Sequence, residues 1–174
     1  MTPFYFDDRF GWLHEPSASA ARPTRGIVLC NPYAQEEVCA HHGMMALGEM
    51  IAGAGMVALR FDYRGCGDSN DAATTVASMV GDAVAAAAVL RAALGPDGDI
   101  AFVGVRLGSA VAAMAAAMCR DAGDPVAGLG LQAPVISGGT FLRETRAAAS
   151  VASLSGLDPV PAADADALFN TNGF

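Results

Sequence analysis

Gly104-Val-Arg-Leu-Gly108 carries an arginine at the position where its spacing calls for a nucleophile. Glycines two residues to either side of a central position mark a nucleophile elbow, a tight strand-to-helix turn that lifts a serine clear of its sheet. Ile100-Ala-Phe-Val103 ahead of it reads as buried strand, and Ser109-Ala-Val-Ala-Ala113 behind it as the start of a small-residue helix. Arg106 at the centre is cationic at every working pH and cannot attack a carbonyl. Two roles stay open for it. Beside a helix N-terminus, near the amides of Leu107 and Gly108, a guanidinium suits a carboxylate or phosphate ligand. Otherwise it closes an ion pair within the protein. A non-glycine residue held in elbow geometry costs about 1–3 kcal/mol, and such strain clusters at functional sites.

No other residue supplies the missing chemistry. Ser109 lies three residues past the centre, inside the helix, where core packing is its expected role. Cys66 sits in a glycine-containing loop with no adjacent base to make it a thiolate. Cys39-Ala-His41-His42 offers metal-type donors, but from a helix start only one or two could face a common ion, so a surface pair is expected and no metal site. Asp62 and Arg64 are expected to tie down the loop around Gly65 and Gly67, and Met114 and Met118 to pack in the core. No catalytic residue and no cofactor are identified.

Composition narrows the classes further. The chain has 174 residues, is 53% hydrophobic and 16% charged, and carries a net charge of −8; that is enough for one core and argues against nucleic acid or an anionic membrane. All ten basic residues are arginine, which excludes Schiff-base lysine, a Ser-Lys dyad and a P-loop. Cys30, Cys39, Cys66 and Cys119 form no C-x-x-C pair, and the N-terminus lacks a basic segment followed by an apolar run. Reduced thiols and a cytoplasmic location are the expectation. The apolar stretch from Ala101 to Cys119 contains Arg106 and reads as strand, turn and helix rather than a membrane span.

The elements that would position the elbow follow from periodicity. Phe4–Phe6 and Phe10–His14 flank the acidic turn Asp7-Asp-Arg9 as an antiparallel hairpin. After a Pro/Ser/Ala loop, Gly26–Cys30 is a strand ended by Asn31-Pro32. A helix with Met44, Leu47, Ile51 and Ala54 on one stripe stops at Gly55. Met56–Asp62 is the next strand, Val76–Leu94 an alanine-rich helix, then the elbow strand and helix to about Arg120, then a strand over Val126–Gln132. The expected fold class is therefore α/β, a mostly parallel sheet flanked by helices with an N-terminal antiparallel hairpin. Function in such sheets sits at the carboxyl ends of the strands.

Four segments in order carry a family resemblance: Asn31-Pro-Tyr-Ala-Gln-Glu36, Arg60-Phe-Asp-Tyr-Arg-Gly-Cys-Gly-Asp-Ser69, Gly104-Val-Arg-Leu-Gly108 and Ala133-Pro-Val-Ile-Ser-Gly138. Over residues 10 to 146 the chain resembles α/β-hydrolases of the serine-aminopeptidase-like type, and most of all the exosortase-A-system-associated hydrolases, among which a G-x-R-x-G elbow recurs. The resemblance implies an α/β-hydrolase-like fold and activity on an ester, thioester or amide. It also implies an acid and a histidine on loops after later strands, which this sequence does not reach. His14, His41 and His42 all fall too early to serve, so conventional serine-hydrolase activity is not expected. In this fold Glu36 could approach and neutralise Arg106, and the N–H groups of Leu107 and of Tyr33 or Ala34 could form an oxyanion hole. The alternative is a non-catalytic anion-binding or assembly protein on the same fold.

The expected organisation is an incomplete hydrolase domain over 1–146 and a cap-like or disordered tail over 147–174, with C-terminal strands missing. Small anionic or acyl molecules are the expected ligands. The apolar run Val126–Gln132 would leave an undefended sheet edge, for which a homodimer or a complementing chain is the expected partner.

Overall fold

The structure, a computed structural model, describes residues 1–17 and 23–154. Six strands and four helices follow one another as β1 (Thr2–Phe6), β2 (Arg9–His14), β3 (Arg25–Cys30), α1 (Gln35–Gly53), β4 (Val57–Phe61), α2 (Val76–Leu94), β5 (Asp99–Val105), α3 (Leu107–Asp121), β6 (Gly128–Gln132) and α4 (Gly138–Leu154). The strands form one sheet in the order β1-β2-β4-β3-β5-β6. β1 and β2 are the expected antiparallel hairpin, β2 joins β4 antiparallel, and β4, β3, β5 and β6 run parallel.

Burial on both faces explains the composition of the central strands, since parallel strands covered on each side read as continuous apolar runs. Val28, Leu59 and Phe102 face α2 and α3 in the larger core, while Leu29 and Ala58 pack against Met44 and Ile51 of α1. α2 is apolar enough and long enough to cross a membrane, but nine of its residues are buried within this fold, Asp82 among them. Its alanines let it lie close to the sheet and to α3. Thr75 caps its N-terminus, exchanging side-chain hydrogen bonds with Ser78.

Asp82 explains why an apolar helix carries a carboxylate. It is fully buried, and its Oδ1 accepts from Arg9 Nε and Arg64 Nε, each at 2.7 Å. Its Oδ2 accepts the backbone N–H of Arg64 at 2.9 Å. One side chain thus joins the hairpin, the loop after β4 and α2. One expectation is corrected: Arg9 belongs to β2 and is buried, not part of the turn. Asp62 and Arg64 both tie down the glycine loop, Arg64 through Asp82 and Asp62 by accepting from the Asp68 amide through Oδ2 and from Ser69 Oγ through its carbonyl.

Other differences are local. Met118 is 54% exposed on the outer face of α3, while Met114 packs against the core. Ala54 lies beyond the end of α1 and is exposed. The boundary expected at residue 146 falls inside α4, and 155–174 lie outside the described residues. β6 borders the described sheet, with Leu129 and Leu131 exposed.

Removing one member of a buried ionic group leaves the others desolvated and unpaired. Asp82→Ala is expected to lower unfolding free energy by about 3–5 kcal/mol in urea titrations; a loss below about 1 kcal/mol would mean the arginines find water or other partners.

Candidate functional site

β3 and β5 end side by side, and each turns sharply into a helix. At the β5 turn the backbones are in contact. A side chain at Gly104 would strike the Gly108 carbonyl, and one at Gly108 would strike the carbonyls of Cys30 and Asn31. Glycine at both positions is therefore a steric requirement. Arg106 between them has φ 55° and ψ −120°, and Ala34 at the β3 turn has φ 56° and ψ −130°. Both are non-glycine residues in a positive-φ conformation that L side chains seldom adopt. Arg106 N–H donates to the Gln132 carbonyl at 2.9 Å, fastening the elbow to the end of β6.

The guanidinium is occupied. Arg106 Nε donates to Glu36 Oε1 at 2.8 Å, and its terminal nitrogen lies 3.3 Å from Glu144 Oε2 on α4. One cation facing two carboxylates leaves the cluster negative, which opposes a further anion. The Glu36 hydrogen bond also raises the arginine's pKa above its ordinary value. About a third of the side chain is solvent-exposed, so the pair is worth no more than about 1 kcal/mol. Among the described residues no backbone carbonyl accepts from the amides of Leu107, Tyr33 or Ala34. Leu107 opens α3, and Tyr33 and Ala34 immediately precede α1.

The alternative nucleophiles are placed elsewhere. Ser109 is buried, its Oγ donating to the Gly104 carbonyl at 2.7 Å with the Gln132 carbonyl at 3.1 Å, so it braces the elbow from below. Cys66 is half-buried against Thr74, and burial followed by the nearby Glu37 pushes its thiol up to about 11. That leaves almost no thiolate at neutral pH. His41 and His42 are exposed on α1, and His14 pairs with Ala58 at the opposite end of the sheet. None reaches Arg106. Among the described residues no group of His, Cys, Asp or Glu is arranged to hold a metal.

A second polar cluster lies around Asn31, of which the sequence singled out only Asp62, as a loop anchor. Arg60 is buried within the otherwise apolar β4, its guanidinium 4.0 Å from the centre of the Trp12 ring. Asn31 Nδ2 donates to the Phe61 carbonyl at 3.0 Å, and Tyr63 Oη donates to the Asn31 carbonyl at 3.1 Å. Glu37, on the first turn of α1, is pushed up to about 7, chiefly by burial and then by Asp62. Burial raises Asp62 as well, against the Asp68 amide and Arg60. The legible signal was Arg60 itself, a charge in a five-residue apolar strand.

The strained elbow makes a separable prediction. Arg106→Ala and Arg106→Gly both delete the ion pairs, but only glycine relieves the positive φ. Arg106→Gly should be more stable than Arg106→Ala by about 1–2 kcal/mol in denaturant titrations. The reverse order would contradict the elbow geometry.

No family model and no curated protein matches the sequence. Solved structures do. The chain is similar to a serine hydrolase without lid from Xanthomonas campestris, at 19% identity and TM-score 0.56, covering 64% of this chain and 51% of that one. It is similar to an α/β serine hydrolase homologue from Coxiella burnetii, at 18% identity and TM-score 0.52, covering 69% and 57%. It is also similar to an esterase from Pyrococcus furiosus, at 19% identity and TM-score 0.63, covering 86% and 56%. The chain spans about half the length of these structures. At these identities the likeness is one of fold: six strands with an N-terminal antiparallel hairpin and flanking helices make an α/β-hydrolase-like fold.

Proposed function

We propose that this chain is a hydrolase-fold protein of the serine-aminopeptidase-like, exosortase-A-system-associated type whose elbow no longer performs covalent acyl transfer. One observation carries the reading. The apex of the elbow is an arginine bonded at 2.8 Å to Glu36, while Ser109, the serine of the elbow helix, points into the core. The guanidinium acts as a clamp joining the elbow to the first turn of α1 and to α4. The order of the turns and the spacing of the glycines support the subfamily likeness; the arginine at the apex and the inward-facing Ser109 support loss of the chemistry.

The free amides favour a ligand reading within the same proposal. The N–H of Leu107 with that of Tyr33 or Ala34, none of which has a backbone acceptor, would hold the carbonyl oxygen of an acyl group as an oxyanion hole does. An ester, thioester or amide ligand fits this without bond cleavage, whereas a free anion would meet the carboxylates around Arg106. Partnering at β6, by a second copy or a complementing chain, belongs to the same proposal and rests on its exposed leucines.

Intact mass measurement after incubation with a fluorophosphonate probe tests the lost chemistry. The expected result is no adduct, with no turnover of nitrophenyl esters above a heat-denatured control. Stoichiometric phosphonylation of Ser109 or any other serine would overturn the proposal.

A further inference from the structure

The two borders of the described sheet, β1 and β6, are unlike. β1 carries Pro3, which cannot donate to another strand, one of the devices that protect an edge. β6 has no such device. Gly-Leu-Gly-Leu-Gln contains neither proline nor charge, and no residue between Asp124 and Arg143 is charged, although the chain carries a net −8. The excess charge that would keep two copies apart is missing along this border. Leu129 and Leu131 are each 46% exposed, and Ile136 beyond them 94%.

The ladder with β5 fixes which backbone groups of β6 remain. Arg106 N–H donates to the Gln132 carbonyl, and Val105 is in register with Gln132. Along a strand in a parallel ladder, residues turn both backbone groups to one side and then to the other in alternation. Gly128, Gly130 and Gln132 therefore turn theirs to β5, and Leu129 and Leu131 turn theirs outward. The side chains are sorted in the same way. Leu129 and Leu131 are in register with Phe102 and Gly104, on the face of the sheet that carries α3, whereas Gly130 backs onto Val103 on the other face.

This strand is its own complement. Turned about a two-fold axis through Gly130 and laid antiparallel, it sets Leu129 opposite Leu131 of the partner subunit, and the reverse. Those are the residues whose backbone groups face outward, so each pair exchanges both N–H···O=C bonds. Directly opposed side chains share a face, so the leucines of both copies close into one apolar strip, and glycine meets glycine at the axis.

We infer that β6 docks a second copy of this chain in an antiparallel, two-fold seam centred on Gly130. The inference rests on the reading of β6 as the partnering edge and assigns that edge to a second copy rather than a complementing chain. A two-fold seam closes on itself, so association stops at the dimer.

Sedimentation of the full chain from micromolar to millimolar concentration should pass from one chain to two and no further. Amide hydrogen exchange in the unaltered protein reads the seam directly and decides if a variant does not fold. Leu129 and Leu131 should gain about tenfold or more protection across that range, while Gly130, bonded to β5 throughout, should not change. Leu129→Arg and Leu131→Glu should each be monomeric alone, because a charge would then oppose a leucine. Mixed in equal amounts they should associate again, since the register sets the introduced cation against the introduced anion. Association lost in both variants with no recovery on mixing overturns the antiparallel seam. A chain that stays monomeric, with Leu129 and Leu131 exchanging alike at every concentration, overturns the second copy and leaves β6 to a complementing chain. A dimer that both variants leave intact uses another surface and overturns β6 as the partnering edge.

Discussion

The contact of Gly108 with the backbone at the end of β3 is the constraint on which the site depends. With no side chain at that position, the start of α3 presses against the carbonyls of Cys30 and Asn31. The two strand-to-helix turns are then held at backbone distance, and everything else follows from that proximity. Glu36, one residue into α1, comes within hydrogen-bond reach of Arg106. Any larger residue would push α3 away from β3 and separate all of these groups together.

Within that frame, electrostatics decides what the cleft can do. A single cation at the apex of the β5–α3 turn could have served as an anion receptor. Glu36 and Glu144 remove that option by taking the guanidinium themselves. The result is a turn strained as at a catalytic site but fastened as at a structural one. Elsewhere the molecule handles charge differently. Asp82 buries one carboxylate between two arginines and fixes the hairpin to α2, whereas Arg60 is buried with an aromatic ring as its close contact.

The sequence disclosed the elements better than their polar connections. Apolar runs and glycine stops located all six strands; for the central β3, β4 and β5, parallel strands buried on both faces admit few alternatives. The glycine spacing located the elbow, and the chain order brought Glu36 into view. Tertiary ion pairs were less legible. Nothing local in Val76–Leu94 shows that Asp82 faces inward, and nothing near Arg9 shows that it meets a residue 73 positions away. Asn31 and Glu37 were missed for a similar reason, since their roles depend on which face of α1 meets the loop after β4. Met118 misled because a methionine at helical spacing fits either side of a helix at the sheet margin.

Arg106 and Glu36 are bonded at 2.8 Å across the two strand-to-helix turns. A double-mutant cycle on unfolding free energy, using Arg106→Leu and Glu36→Gln, tests it most directly. For a pair one-third exposed, a favourable coupling of about 0.5–1 kcal/mol that diminishes in high salt is expected. Additive effects of the two substitutions, with no coupling at low ionic strength, would contradict it.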